Sequence, residues 1–155
     1  MKEFLKENGH SILLAIFAGL VLILWGRLAM AEFSHNAACT HLTTRQARVR
    51  CLAHFGWQVD ETSETEDTVY IPEVLDSVWS RYNEIQKMSG FDLLAYRGKS
   101  AKHYSYRVLN FPGVEQAEVF VNLLVYEGTV IGGDCMTAEL DGFMLPIDIR
   151  SVPQR

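Results

Sequence analysis

Residues 72–134 contain the pattern that most constrains the fold, a helical periodicity followed by strand periodicities. Pro72 and Glu73 indicate a helix start and Gly90 its end, because proline and an acid favour a first helical turn and glycine a helix end. Between them apolar residues recur every three or four positions, which is typical of a helix with one buried face. These residues are Val74, Leu75, Val78, Trp79, Tyr82, Ile85 and Met88. We expect this helix to lie across a sheet.

Four strand patterns follow the helix, and the clearest is the strict alternation of residues 117–126. We place the four strands at residues 91–96, 103–109, 117–126 and 129–134. Gly98 and Gly128 indicate tight turns, while the pair Gly132-Gly133 indicates a bulge or a close backbone approach. A helix on a four-stranded antiparallel meander is an α+β fold, similar in outline to cystatin-like and PepSY-type extracytoplasmic modules.

Two smaller elements precede this helix. Residues 43–46 fit a capping box, which predicts an additional helix that ends at Gly56. Residues 57–59 and 68–71 predict a short hairpin beside the main sheet. The additional helix also carries Arg45, Arg48 and Arg50. We interpret these arginines as a solvated face rather than a surface for lipid or a partner.

The N-terminal segment is predicted to meet the membrane, because residues 12–25 form an uninterrupted apolar run. As a signal-anchor, a transmembrane helix would extend to Ala31 and contain roughly 20 residues, which matches the hydrocarbon thickness. As a signal peptide, the segment would be cleaved after Ala31 and release a secreted protein. Arg27, close to that cleavage site, favours the anchor. We expect a single-pass protein of the cell membrane with its C-terminal domain outside the cytoplasm.

The domain plan divides the chain into four segments. They are the signal-anchor 1–31, a linker 32–42, a globular α+β domain 43–146 and a C-terminal tail 147–155. Three cysteines, Cys39, Cys51 and Cys135, lack the C-x-x-C spacing of zinc or redox sites. Outside the cell two of them could form a disulfide, and Cys51 and Cys135 could instead be small buried residues. The pairing of Cys39 with either partner is left open.

Charge limits the classes of partner. Residues 32–155 contain 11 Lys and Arg against 17 Asp and Glu, which gives a net charge of about −6. An acidic domain without a basic run is a poor nucleic-acid binder, so we expect no nucleic-acid partner. The acidic loop 60–67 lacks the glycine and the terminal glutamate of a calcium-binding loop. We therefore expect no metal and no cofactor.

Polar residues around the end of the main helix form the candidate binding site. They are Asn83, Gln86, Asp92, Tyr96, Arg97 and Asp134. The first three could equally satisfy the open backbone groups of a helix end. We favour a non-catalytic module that binds a protein, a peptide or an envelope component. The alternative is a small hydrolase that uses Asp134 with Asp92 or His103, which requires these side chains to converge in one cleft.

An ordered set of short motifs resembles a domain-of-unknown-function family. The motifs are Phe55-Gly56-Trp57-Gln58-Val59, Ile71-Pro72, Tyr82-Asn83-Glu84-Ile85-Gln86, Gly90-Phe91-Asp92-Leu93, Ile131-Gly132-Gly133-Asp134 and Asp141-Gly142-Phe143-Met144. The resemblance covers roughly residues 43–146. That family consists of small proteins of Clostridia-like Gram-positive bacteria, typically with an N-terminal hydrophobic segment before the domain. The resemblance implies a bacterial source and an extracytoplasmic location, and it brings no activity and no catalytic residues.

Overall fold

The computed structural model divides the chain into two compact units, residues 1–37 and 38–155. The residues that it describes are 17–18, 20–21, 39–112, 118–139 and 142–151. The four described residues of the first unit are helical. Most of the predicted anchor 1–31, with its cleavage site, and linker residues 32–38 lie outside the described residues. No helix in the described part of the chain is long and apolar enough to cross a membrane.

The described residues of the second unit have the predicted α+β class, with two α-helices and a five-stranded antiparallel sheet. The helices are α1 Arg45–His54 and α2 Ser77–Met88, and the strands are β1 Thr65–Tyr70, β2 Ser100–Arg107, β3 Val119–Tyr126, β4 Thr129–Thr137 and β5 Met144–Pro146. The sheet order is β1-β2-β3-β4-β5, so every strand pairs with its neighbour in sequence. Three short 3₁₀ helices occur at Glu61–Ser63, Leu93–Tyr96 and Ile149–Ser151.

The sheet is buried on both faces at β3 and β4, whereas the edge strand β1 is largely exposed. The strand β3 shows the two layers. Its odd-numbered residues, such as Val121 and Leu123, belong to the core that includes Leu52 of α1. Leu124 faces the other way and belongs to a smaller core with Leu93, against which side chains of α2 pack. Successive side chains of a strand point to opposite faces. Alternate residues of 119–126 therefore belong to two different cores, one on each face of the sheet.

The hairpin turn predicted at Gly128 and the bulge predicted near Gly132 are confirmed, whereas Gly98 closes no hairpin because no strand precedes it. Glu127 and Gly128 connect β3 to β4 with φ angles of 48° and 78°, which suit a tight hairpin turn. The register between β3 and β4 then shifts, because Leu124 pairs with Gly132 and Val125 with Val130. A Cβ on Gly132 would lie 2.8 Å from Oε1 of Gln86 in α2. The absence of a side chain there lets α2 approach the sheet closely.

The strand predicted at residues 91–96 is wrong, because this segment forms the 3₁₀ helix Leu93–Tyr96. The Asp92 side chain caps it by accepting from the amide of Leu94 at 3.0 Å. The amide of Leu93 bonds Oδ1 of Asn83 at 2.7 Å. Local side-chain acceptors thus satisfy amides that a strand would present to a neighbour.

The separate hairpin predicted at 57–59 and 68–71 is also wrong. Residues 65–70 form the edge strand β1, which pairs with β2 of the main sheet. Residues 57–59 contribute one isolated bridge, between Val59 and Val108. The sheet therefore takes its outer strand from before α2, whereas the sequence pattern placed that strand after it.

The buried face of α2 differs from the predicted apolar stripe. The helix begins at Ser77 rather than Pro72, because the Asp76 side chain accepts from the amides of Val78 and Trp79, both at 2.9 Å. The fully buried positions of α2 are polar, Asn83 and Gln86. Three of the seven apolar residues that the pattern placed on the buried face are exposed. They are Val74 (83%), Val78 (70%) and Met88 (73%).

Arg48 is buried, so the interpretation of α1 as a wholly solvated arginine face is wrong for this residue. Its guanidinium donates to Glu64 at 2.9 Å and to the Tyr106 hydroxyl at 3.1 Å. It also lies 3.9 Å from the centre of the Tyr104 ring. The Tyr106 hydroxyl in turn donates to Glu64. These groups tie α1 to β2 and to the segment that leads into β1.

The core extends beyond residues 43–146 in both directions. Cys39 and Leu42, in the predicted linker, are buried. Cys39 forms a disulfide with Cys51 of α1, with the two Cα atoms 5.0 Å apart, and Cys135 is a free buried thiol. Ile147, in the predicted tail, is also fully buried. The carbonyl of Ile147 accepts a hydrogen bond from the Trp57 indole at 2.5 Å.

Candidate functional site

The first part of the candidate site is the junction between α2 and the 3₁₀ helix Leu93–Tyr96. Asn83 is buried and uses both ends of its amide, accepting from Leu93 N–H and donating to Asp92 at 3.0 Å. The hydrogen bond from Asn83, the amide of Leu94 and the nearby cation Lys87 lower the pKa of the exposed Asp92 carboxyl. Asn83 and Asp92 therefore hold the backbone of the junction in place.

An open cleft of about 340 Å³ lies beside this junction. It is lined by Glu73, Val74, Leu75, Ser80, Asn83, Glu84, Lys87, Leu94 and Arg97. Arg97 donates from Nε to the Leu94 carbonyl at 3.1 Å. Tyr96 points elsewhere and packs against the ring of Tyr126, with ring centres 5.7 Å apart. Of the six candidate residues, Asn83 and Arg97 line this cleft.

Asp134 and Gln86 lie in a second place, between α2 and the sheet. Asp134 is 2% exposed and accepts from the Tyr82 hydroxyl at 2.8 Å and from the Asn122 amide at 2.7 Å. Gln86 accepts from Gly133 N–H at 2.6 Å. Burial raises the pKa of Asp134, although the two hydrogen bonds oppose that shift. Burial and the Asp134 carboxylate also raise the pKa of Tyr82 well above its usual value.

Five of the six predicted residues therefore form two groups, a junction group of Asn83, Asp92 and Arg97 and a buried group of Gln86 and Asp134. Tyr96 belongs to neither group. Asp92 is exposed and has a lowered pKa, while Asp134 is buried and has a raised pKa. The two carboxylates share no hydrogen-bond partner among the described residues. His103 is half-buried on β2, and its electrostatic effect lowers the pKa of Asp134, opposite to the effect of burial.

Sequence reasoning missed a groove beside the exposed side of α2. The groove has a volume of about 500 Å³ and is lined by Val78, Trp79, Arg81, Tyr82, Ile85 and Met144. Five of these six side chains are largely apolar. The sequence signal was present, since the apolar positions of 74–88 cover more of the helix surface than one buried face can hold.

No group of three or more His, Cys, Asp or Glu side chains in the described residues is arranged to hold a metal ion. The arrangement offers instead an apolar groove with one cation, a polar cleft and a buried carboxylate. The first two are open to solvent, which a binding site for a second molecule requires.

Comparison with known proteins gives one finding. A family model described as a domain of unknown function (DUF4830) matches residues 51–135. No curated protein and no solved structure matches the chain, so the likeness in outline to cystatin-like and PepSY-type modules stays a prediction. The bacterial source and the N-terminal anchor also stay predictions. The matched residues run from α1 through β4 and include α2, the junction and Asp134, and the chain therefore belongs to the DUF4830 family.

Proposed function

We propose that the domain is a non-catalytic binding module outside the cytoplasm and that it binds an apolar protein or peptide segment in the groove between α2 and β5. The observation that supports this most directly is the orientation of α2. Its polar residues Asn83 and Gln86 face the protein interior, while Val78 is 70% exposed beside the groove. Burying such a side chain in a complex gains roughly 1.5–3 kcal/mol, so this surface favours a partner.

Charge specifies the partner further. Arg81 is the one charged residue of the groove lining. Among the described residues it forms no ion pair. A guanidinium at the rim of an apolar groove binds a carboxylate with two parallel hydrogen bonds. The proposed partner segment therefore carries apolar side chains next to an Asp, a Glu or a C-terminal carboxylate.

The Cys39–Cys51 disulfide supports the extracytoplasmic location. Stable structural disulfides are typical of oxidising compartments and are rare in the reducing cytosol. The apolar run at residues 12–25, preceded by Lys2 and Lys6, supports an N-terminal membrane anchor. Together they favour a domain held at the outer side of the cell membrane.

Selection of random peptides displayed on phage, against the full-length chain, tests the groove. We expect the enriched peptides to combine two or more large apolar residues with an acidic residue. Reversing the groove charge with Arg81→Glu is expected to change that acidic preference to a basic one. Lys99→Glu is the matched control, because it reverses an exposed charge outside the groove.

Two results would contradict the proposal. One is enrichment of peptides without apolar residues. The other is a preference for acidic residues that is unchanged in the Arg81→Glu variant. Ile85→Lys, which places a charge in the groove lining, should abolish selection of the same peptides. Circular dichroism of each variant separates loss of binding from loss of the fold.

The alternative function is a small hydrolase that uses Asp134 with His103. His103 lowers the pKa of Asp134 through its electrostatic effect, and this interaction between the two side chains favours the pairing. Against it, both Asp134 oxygens accept hydrogen bonds and the side chain is 2% exposed. Release of nitrophenol from p-nitrophenyl acetate is the test. If the protein hydrolyses this ester and both Asp134→Asn and His103→Gln abolish the activity, the result would support a hydrolase. It would also remove the basis for a non-catalytic module.

A further inference from the structure

The outer edge of the sheet at β1 presents free backbone groups, and the register shows which ones. The amide of Ile71 donates to the carbonyl of Lys99 at 2.9 Å. Antiparallel pairs alternate between bonded and non-bonded positions, so residues 65, 67 and 69 also direct their backbone groups toward β2. Glu66, Thr68 and Tyr70 therefore direct their N–H and C=O groups away from the sheet.

The opposite side of β2 agrees with this assignment. The amide of Val108 donates to the carbonyl of Val119 at 2.8 Å, so the even-numbered residues of β2 bond β3 and its odd-numbered residues bond β1. No backbone hydrogen bond among the described residues reaches Glu66, Thr68 or Tyr70 from outside the sheet. The outer edge of β1 has three consecutive open positions for an added strand.

The two edges of the sheet differ in protection. β5 is three residues long and ends at Pro146, and short length and proline both discourage strand addition. β1 has six residues, contains no proline and keeps one register with β2 along its whole length. Glu66 and Asp67 are the charged residues of β1, and they disfavour acidic partners while attracting basic ones.

Charge also decides between two occupants, a basic segment and a second copy of this chain. Glu66 is about half exposed and bonds Lys102 at 2.8 Å, while Asp67 is exposed and forms no ion pair among the described residues. Antiparallel pairing of β1 with a second β1 would bring two copies of both acids together. The whole chain also has a net charge of −5, so self-association is disfavoured.

We propose that the outer edge of β1 is a strand-addition site for an extended, Lys- or Arg-rich segment of a partner protein. The added strand would bond the open groups of Glu66, Thr68 and Tyr70. Its alternate basic side chains would lie beside Glu66 or Asp67, which point to opposite faces of the sheet. This mode of recognition derives affinity from main-chain bonds and specificity from alternate side chains. It is independent of the groove at β5, which lies at the other end of the sheet.

The probe for this site is a capped heptapeptide, Lys-Val-Lys-Thr-Lys-Val-Lys, added to the full-length chain in a zwitterionic detergent. Amide hydrogen exchange by NMR reports each position of β1. We expect slowed exchange at the outward amides of Glu66, Thr68 and Tyr70. The peptide Glu-Val-Glu-Thr-Glu-Val-Glu should leave these amides unchanged.

Methylated peptides separate strand addition from simple charge attraction without changing the protein. An added strand bonds β1 through alternate residues, so N-methylation of one alternate set blocks pairing and methylation of the other set does not. We expect the dissociation constants of the two methylated isomers to differ about tenfold or more, as lost main-chain bonds imply. Equal affinities would overturn the proposal, because the contact would then be electrostatic only.

Thr68→Pro and Thr68→Val form a matched pair of variants. Proline removes the outward N–H and keeps the inward bonds, which edge positions tolerate, whereas valine keeps the N–H and the β-branched shape. We expect proline to weaken peptide binding about tenfold and valine to leave it within about twofold. Exchange protection that appears without peptide and grows with protein concentration would show that a second copy occupies the edge, and would also overturn the proposal.

Discussion

At the residue scale, one buried charge fixes the arrangement of α1 on the sheet. Arg48 is 6% exposed, and its guanidinium is matched by Glu64, the Tyr106 hydroxyl, the Leu42 carbonyl and the Tyr104 ring. Although partial burial opposes the shift, hydrogen bonds from Tyr106 and Arg48 lower the pKa of Glu64. Removing one partner of such a set leaves an uncompensated charge in the interior.

Glu64→Gln tests this dependence. The substitution keeps the shape of the side chain but leaves the Arg48 charge without its carboxylate, so we expect a loss of about 3 kcal/mol in the free energy of unfolding. Urea denaturation followed by tryptophan fluorescence measures the loss. Glu61→Gln, at an exposed position of the adjacent 3₁₀ helix, should change stability by less than about 0.5 kcal/mol. Similar stabilities for the two variants would contradict the role assigned to Glu64.

The two candidate carboxylates are expected to affect stability with opposite signs of pH dependence. Asp134 has a raised pKa in the fold, so its contribution is favourable below the usual Asp pKa and is lost as pH rises through the folded value. Asp92 has a lowered pKa, so its contribution is present above the usual pKa and is lost as pH falls below about 4.

Asp134→Asn and Asp92→Asn separate these effects. As pH rises, the stability of the wild type relative to Asp134→Asn should fall, whereas its stability relative to Asp92→Asn should rise. The measurement is the free energy of unfolding by urea at a series of pH values. If the stability difference between the wild type and Asp134→Asn does not change with pH, the Asp134 carboxyl has the same pKa in the folded protein as in water, which would contradict the prediction.

At the element scale, periodic sequence patterns predicted the regular helices and strands. They did not predict the local hydrogen bonds that polar side chains make to the backbone. The alternation of β3, the Glu127-Gly128 turn and the bulge at Gly132 followed from residue spacing. The strand order failed because Asn83 and Asp92 bind amides after α2 and form a 3₁₀ helix there. No periodicity indicates a side chain that bonds a backbone ten residues away in sequence.

Asn83→Ala tests whether this one side chain decides the junction. It leaves the buried Leu93 N–H without an acceptor and removes the hydrogen bond from the Asn83 side chain to Asp92, so we expect a loss of about 1–3 kcal/mol in the free energy of unfolding. Hydrogen exchange should rise at the amides of Leu93 and Leu94. Glu84→Ala changes the next, exposed position of α2 and serves as control. Unchanged exchange at Leu93 would show that the backbone holds this conformation alone.

The same comparison explains what the sequence could say about the candidate site. The sequence predicts Asn83, Gln86 and Asp92 around the helix end, and the structure joins Asn83 to Asp92 there. Gln86 and Asp134 belong beneath α2, because the helix faces the sheet with its polar residues. The apolar pattern places every apolar residue of α2 on the buried face. It is right for Trp79 and Tyr82, which pack against the core, and wrong for Val78, which is exposed beside the groove.

At the scale of the whole molecule, the Cys39–Cys51 disulfide joins the start of the domain to α1 across 12 residues. We expect the variant Cys39→Ser/Cys51→Ser to lose about 3 kcal/mol of stability, the entropy of closing a loop of this length. Thermal unfolding of the two proteins measures the loss.

Burial raises the pKa of the Cys135 thiol to about 12, so this thiol should react with iodoacetamide only on unfolding. Rapid labelling of the native protein would contradict its burial.

The position of this disulfide also has a mechanical consequence. Any pull on the chain from its N-terminal side enters the domain at Cys39 and passes through a covalent bond into the middle of the core at Cys51. Residues 40–50, with most of α1, are then bypassed by the load and cannot be peeled away one turn at a time. A domain held by its N-terminal end would resist traction as a unit, and reduction of one bond would let it unravel from that end.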